Sequence, residues 1–341
     1  MAKRAFITGI TGQDGAYLTK LLLEKGYEIH GGIRRSAGQS KFDRLDSLGV
    51  RDSIKSHDFE LGEYSNIQRT IEKVAPDEIY NLAAQSFVAS SFEAPIYTSD
   101  ANAIGVMRIL EAIRVVNAKT RYYQASTSEM FGRTPPPQDE DSKFWPRSPY
   151  ANAKLYAHWA TVNYRESFGM HATSGILFNH ESPLRGTEFV TRKITKALAR
   201  IKAGKQDVLS LGNLDAIRDW GFAGDYVEGM WRMVQADKPE SYVLATGEGH
   251  TVREFIEHSA RFAGWEMEWH GKSENEVGKD RKTGKILVVI NPEFYRPAEV
   301  HALLGSAAKA EKELGWRCKV KFKELVEMMM EADLKRASLT S

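Results

Sequence analysis

Tyr150 and Lys154 stand four residues apart, directly after Pro149. Proline suits the first position of a helix, so the spacing puts both side chains on one helix face. A phenol beside an ammonium is a proton-transfer pair. The cation is expected to lower the phenol's pKa, so that a tyrosinate can act as base toward an alcohol whose hydride leaves to a nicotinamide. Taken alone, the same spacing also fits an ordinary solvated helix pair. Upstream, Thr120 to Ala125 reads as a strand running into Ser126-Thr127-Ser128-Glu129. That places hydroxyls and a carboxylate at the C-terminal end of a strand, where open α/β sheets carry their catalytic groups. The hydroxyls could equally cap the following turn.

A second group sits at the N-terminus. Ala5 to Thr8 reads as a short buried strand, followed by Gly9-Ile10-Thr11-Gly12-Gln13-Asp14-Gly15 and then the helix-period apolar residues Tyr17, Leu18, Leu21, Leu22 and Leu23, ending at Gly26. Glycines between a strand and a helix let backbone amides approach a pyrophosphate at the helix N-terminus. Two residues separate Gly9 from Gly12, where the usual dinucleotide fingerprint has one, so that motif is not matched. Roughly 20 residues on, where an NAD enzyme carries an acid for the ribose, the chain has Arg34-Arg35-Ser36. Two guanidiniums there favour a 2′-phosphate, hence NADP. Asp58 follows another strand and could meet the adenine. Leu82-Ala83-Ala84-Gln85-Ser86 ends a strand with small residues that would let a cofactor lie close, or would serve helix packing.

These groups need a sheet to carry them. Tyr27 to Ile33, Ile54 to His57, Glu78 to Leu82 and His171 to Leu177 are further strands, with helical patterns such as Ile104 to Val116 between several of them. The alternation predicts a doubly wound parallel (Rossmann-like) α/β sheet. Beyond Phe178 come helices at Val190 to Ala203, near Val227 to Gln235 and at Val252 to Phe262, and a strand near Val208 to Leu211, read as a second, smaller α/β substrate-binding lobe. The division expected is 1–177, with returning segments about 214–246 and 286–300, for the NADP-binding domain, and 178–213, 247–285 and 301–341 for the other. Pro135 to Pro149 and Gly271 to Lys285 read as loops.

Among 341 residues, 47 Lys and Arg face 45 Asp and Glu, which argues against nucleic acid or an anionic membrane as partner. The single cysteine, Cys318, excludes an internal disulfide and zinc spacing and fits a reducing compartment. The apolar stretch after Lys3 and Arg4 breaks at Thr8 and Gly9, too soon for a signal or a membrane span, so a cytoplasmic protein is expected, with no metal.

Taken together, Thr-Gly-x-x-Gly-x-x-Gly, the strand-end Ser-Thr-Ser-Glu and Tyr-x-x-x-Lys resemble the extended short-chain dehydrogenases/reductases. The segments 9–17, 81–87, 123–132, 146–154, 175–183, 189–193, 218–226 and 296–300 narrow the resemblance to the GDP-mannose 4,6-dehydratase family. Ile176-Leu-Phe-Asn-His-Glu-Ser-Pro183 and Arg218-Asp-Trp-Gly221 are the most specific of them. The resemblance implies a hydro-lyase that uses NADP to oxidise C4, eliminate water across C5 and C6 and return hydride to C6. It implies Thr127, Glu129, Tyr150 and Lys154 as catalytic. On the cofactor side it places Gly9, Thr11, Gly12, Gln13, Asp14, Gly15, Arg34, Arg35, Ser36, Asp58, Phe59, Leu82, Ala83, Ala84, Gln85, Ser86, Tyr97, Lys154, His180 and Arg185. For the GDP-sugar it names Ser86, Ser128, Asn179, Lys193, Arg218, Arg296 and Glu299, arginine and lysine suiting a diphosphate and a carboxylate a guanine edge. A homo-oligomer, tetramer before dimer, is implied too. The chain departs from the family's pattern after Arg35 and at Leu184. Competing expectations are the same reaction on a GDP-manno-heptose, a GDP-sugar 4-reductase or epimerase, for which Glu129 has no obvious use, and a catalytically silent NADP-binding scaffold.

Overall fold

A computed structural model describes residues 2–35, 42–295 and 298–339. The strands in chain order are β1 (Arg4–Thr8), β2 (Glu28–Ile33), β3 (Ile54–Asp58), β4 (Glu78–Asn81), β5 (Arg121–Thr127), β6 (Ala172–Leu177), β7 (Asn179–Glu181), β8 (Leu209–Leu211), β9 (Ile217–Phe222), β10 (Ser241–Leu244), β11 (Gly249–Thr251), β12 (Met267–His270), β13 (Val277–Asp280), β14 (Ile286–Ile290) and β15 (Ala302–Leu303). The helices are α1 (Gln13–Glu24), α2 (Asp43–Ser47), α3 (Tyr64–Val74), α4 (Val88–Glu93), α5 (Pro95–Ser99), α6 (Gly105–Asn117), α7 (Pro149–Phe168), α8 (Val190–Lys202), α9 (Ala223–Gln235), α10 (Val252–Phe262), α11 (Ala308–Leu314) and α12 (Phe322–Leu339).

Seven strands in the order β10-β6-β5-β4-β1-β2-β3, all parallel, form the central sheet. Its inner strands β1, β4 and β6 are buried on both faces, so none of them shows a polar and apolar alternation. One face is covered by α1 and α9, through Leu18, Leu22, Tyr226, Met230 and Met233. The other is covered by α3, α6 and α7, through Ile67, Ile71, Ile109, Ile113 and Ala157. Chain direction across the sheet reverses between β1 and β4, and ligands of open α/β sheets bind in the crevice outside the strand ends at such a reversal. The glycine loop leaves β1 there and Leu82–Ser86 leaves β4.

Local chemistry fixes this corner. Gly9 has φ +68°, and a Cβ on it would stand 2.9 Å from the Ala83 backbone; one on Gly15 would stand 2.5 Å from Ile10 Cα. Only glycine lets the β1 loop touch the β4 loop and lets α1 start against its own turn. The Thr8 hydroxyl ties the two together, accepting from the Leu82 and Ala83 amides at 3.1 Å and donating to Asn81 Oδ1 at 2.6 Å. Helix α7 starts where Ser148 accepts from the Ala151 amide at 3.1 Å, with Pro149 in the first turn, and stops at Gly169, φ +64°.

A second core gathers Ile194, Leu198, Trp220, Phe255, Phe322, Leu325 and Met330 between α8, α10, α12 and two small sheets, one ordered β12-β13-β14-β8 and the other β11-β9-β15 with β7 beside β9. Several boundaries differ from the sequence reading. Of the segment 214–246, β10 extends the central sheet but β9 pairs with β7, β11 and β15, and the stretch 286–300, expected to return to the nucleotide-binding lobe, instead supplies β14 beside β8. The expected loop 271–285 contains β13: its polar and glycine residues hide a strand held by backbone pairing to β12 and β14 rather than by an apolar face. Strand β5 runs to Thr127, two residues past the expected end. Among the described residues no helix is long and apolar enough to cross a membrane.

Candidate active site

One cleft at the C-terminal edge of the central sheet brings together most of the residues picked out from sequence. It is lined by Gly9, Gly12, Gln13, Asp14, Gly15, Leu82, Ala84, Ser86, Thr127, Ser128, Glu129, Tyr150, Lys154, Asn179, His180 and Arg185. Strand β5 delivers Thr127 and the turn after it Glu129, whose amide donates to Thr127 Oγ1 at 3.2 Å. Helix α7 brings Tyr150 against the same wall, where Thr127 acts to lower the phenol's pKa. Thr127, Glu129, Tyr150 and Lys154 are all less than one-tenth exposed.

The electrostatics correct one expectation. Burial pushes the Tyr150 phenol up to about 12, with Thr127 pulling the other way and the Glu129 carboxylate adding to the rise. Lys154 does not offset this. Its Nζ lies 6.0 Å from the centre of the Tyr150 ring and donates to the Ala125 carbonyl at 2.9 Å. Burial also brings Lys154 down to about 8, with Asp14 opposing, so it remains charged at neutral pH. Two buried groups on one helix face each pay desolvation, and in this pocket that outweighs their mutual effect.

Asp14 and His180 form a second pair, Nε2 to Oδ2 at 2.8 Å, while His180 Nδ1 faces the Phe178 carbonyl at 2.8 Å. Both ring nitrogens meet acceptors, an arrangement that favours the doubly protonated ring. Burial opposes this, but Asp14 outweighs it and raises the His180 pKa. Burial likewise opposes the charge on Asp14, and His180 outweighs it, holding the carboxyl at about 2. The imidazolium stacks on Tyr226 with ring centres 4.8 Å apart. Gln13 locks the pair, donating to the His180 carbonyl and to Asp14 Oδ1, both at 3.0 Å, and accepting from Ser182 at 2.7 Å.

The pH dependence follows. Asp14, with its pKa lowered on folding, stabilises the fold fully above about pH 4 and loses this as pH falls toward 2. His180, with its pKa raised, stabilises it fully below about pH 6.5 and loses this as pH rises through its folded value. The window of full effect is therefore about pH 4 to 6.5. Asp14→Asn should cost roughly 2 kcal/mol in that window and less above it. Melting curves of both proteins from pH 4 to 9 check this; a gap that stays constant across that range contradicts it.

The remaining expected residues are not among those that line this cleft. Arg34 donates to the Tyr97 hydroxyl at 2.7 Å beyond the end of β2, and the Arg35 amide donates to Glu60 Oε1 at 3.2 Å. Asp58 lines a separate shallow depression with His57, Arg69 and Lys73. Phe59 buries its ring against Phe6, centres 5.1 Å apart, and its amide donates to the Ile33 carbonyl, so its side chain serves the core rather than a ligand. Gln85 is held by Asn102, which accepts from its amide and donates to its carbonyl, both at 2.8 Å. Thr11 offers its carbonyl to Arg44. Lys193 lies over the Phe294 ring, Arg218 lies on β9, and Glu299 Oε2 accepts from Asn213 at 3.1 Å. Ser36 and Arg296 fall outside the described residues.

Sequence reasoning missed Arg44, Glu188 and Phe189, which also line the cleft. Arg44 donates to the Leu184 carbonyl at 2.7 Å and to the Thr11 carbonyl at 3.2 Å, joining the glycine loop to the segment after His180. Nothing in its spacing marks it. Phe189 carries a readable hint, four residues after Arg185, whose guanidinium sits 3.6 Å from its ring centre.

The fold is similar to that of UDP-glucose 4-epimerase of Thermotoga maritima, with a TM-score of 0.82 at 21% identity, covering 98% of this chain and 99% of that one. A family profile described as GDP-mannose 4,6 dehydratase matches residues 6–329. GDP-mannose 4,6-dehydratase of Yersinia enterocolitica is 51% identical over 352 residues, covering 98% of this chain and 95% of its own length. GDP-mannose 4,6 dehydratase 2 of Arabidopsis thaliana is 53% identical over 344 residues, covering 98% and 88%. The chain belongs to the GDP-mannose 4,6-dehydratase family.

Proposed function

We propose that the protein dehydrates GDP-mannose to GDP-4-keto-6-deoxy-mannose, with NADP bound in the cleft. The observation that carries this reading is Thr127, Glu129 and Tyr150 on one wall: a hydroxyl, a carboxylate and a phenol are the side chains that an oxidation followed by an elimination requires, and a simple ketone reduction has no use for the carboxylate. The glycine loop between β1 and α1, with His180 and Arg185 beside it on the same cleft, suits a dinucleotide diphosphate. When bound, the nicotinamide supplies the place where hydride is held between C4 and C6.

Tyr150, whose phenol Thr127 helps to ionise, takes the proton from the C4 hydroxyl. The resulting ketone acidifies the C5 hydrogen, and Glu129 removes it as base. The C6 hydroxyl leaves as water with one of the two protons the enzyme has taken up, and the other returns to C5 as hydride reaches C6. Lys154 donates to the Ala125 carbonyl, which fixes its ammonium at the end of β5. Gln13, Asp14, Leu82, Ala84, Ser86, His180 and Arg185 hold the dinucleotide, and Asn179, Ser128, Lys193, Arg218, Arg296 and Glu299 the GDP-sugar. The protein is further read as a cytoplasmic homo-oligomer, tetramer before dimer.

Arg34 and Arg35 favour NADP over NAD. Arg34→Ala with Arg35→Ala should weaken NADP by roughly 10- to 100-fold, the worth of one to two charge-assisted phosphate contacts, and leave NAD unchanged. Titration of both cofactors tests this; equal losses would contradict a 2′-phosphate role. The substrate reading is tested by product mass after incubation with GDP-mannose and, separately, with GDP-manno-heptose. Water loss from GDP-mannose at the higher kcat/KM supports it. Turnover of the heptose alone would move the assignment to that sugar, and no turnover of either would favour a silent scaffold.

A further inference from the structure

Lys193 projects from α8 with its ammonium 3.5 Å from the centre of the Phe294 ring. It has no carboxylate partner among the described residues, and burial pulls its pKa down. Arg185, eight residues earlier, is held differently: it too lies on a ring, Phe189, but it also meets Glu181 at 3.1 Å. A cation on an aromatic face is fixed in place by the ring's quadrupole while its N–H donors stay free to turn toward an arriving anion. An ion pair with a carboxylate would have to give way first.

The ring is itself firmly placed. Phe294 ends a short turn, Pro292–Phe294, begun by Asn291, whose Oδ1 accepts from the Glu293 amide at 3.0 Å. The Phe294 amide donates to the Asn291 carbonyl at 3.1 Å, and the Asn291 amide to the Leu211 carbonyl at 2.7 Å. Gly212 packs so closely under the turn that a Cβ there would stand 2.8 Å from the Phe294 carbonyl oxygen. Yet Phe294 is 48% exposed, which is more than a core role requires.

We propose that Phe294 is a positioning residue for Lys193, holding its ammonium ready for the diphosphate of the nucleotide-sugar, so that this ring sets affinity for the nucleotide. The inference rests on the reading that Lys193 meets the GDP portion of the substrate.

The test uses the full chain, with GDP as the binding probe in calorimetry and GDP-mannose as the kinetic substrate, on Phe294→Leu, Phe294→Tyr, Lys193→Met and the Phe294→Leu/Lys193→Met pair. Phe294→Leu should weaken GDP and raise KM by roughly 3- to 10-fold, with kcat changed by less than about twofold, and Phe294→Tyr should retain wild-type affinity. In the Lys193→Met background, Phe294→Leu should add less than about twofold. Wild-type GDP affinity in Phe294→Leu, or an equal loss with and without Lys193, would overturn the inference while leaving the substrate reading in place. Wild-type GDP affinity in Lys193→Met would overturn both.

Discussion

Glu129→Gln should slow water loss by roughly 10²- to 10⁴-fold, the usual weight of a positioned general base, while C4 oxidation continues. The amide keeps the shape of the carboxylate and its place after β5, where the Glu129 amide donates to Thr127, so the fold and the Thr127 to Tyr150 contact should survive. The variant should lose exchange of the C5 hydrogen with solvent deuterium and still show reduced-cofactor absorbance on mixing with GDP-mannose. Full dehydratase rate would show that another group takes the C5 proton. Removing this carboxylate also removes the nearest charge that raises the Tyr150 phenol, so the C4 step should reach its full rate at lower pH than in the unaltered enzyme.

Tyr150→Phe should have the opposite signature. With the phenol gone, nothing placed on α7 can accept the C4 proton, and both cofactor reduction and product formation should fall together, again by roughly 10²- to 10⁴-fold. GDP binding should be unchanged, since Tyr150 lies on the sheet wall rather than beside Lys193 and Glu299. The phenol of the unaltered enzyme sits at about 12 in its buried pocket, so the rate in it should climb with pH over the neutral range instead of levelling near 7. Stopped-flow absorbance and product mass on the same samples separate the two variants; undiminished cofactor reduction in Tyr150→Phe would remove the phenol from the mechanism.

The sheet was legible because its inner strands are short, β-prone stretches followed by glycine or small residues, as at Ala5 to Thr8 and Glu78 to Leu82, and need no long-range information to be read. Strand β13 was not, because Val277-Gly-Lys-Asp280 owes its conformation to neighbours on either side rather than to its own side chains. In the site, the glycine loop and the Tyr150 to Lys154 spacing were readable because backbone approach and helix geometry are local properties. Their energetic relation was not: whether Lys154 lowers the phenol or spends its charge on the Ala125 carbonyl depends on burial and on where β5 ends, two residues beyond its expected limit. Arg44 and Phe294 were invisible for the same reason. Each acts on a residue more than 30 or 100 positions away in the chain, and no periodicity links them.

The most direct measurement of the whole account uses purified protein, catalytic NADP and GDP-mannose carrying deuterium at C4, followed by mass spectrometry of the product. The proposed chemistry predicts loss of water with the label recovered at C6. Water loss with the label missing from C6, or an unchanged GDP-mannose, would contradict it.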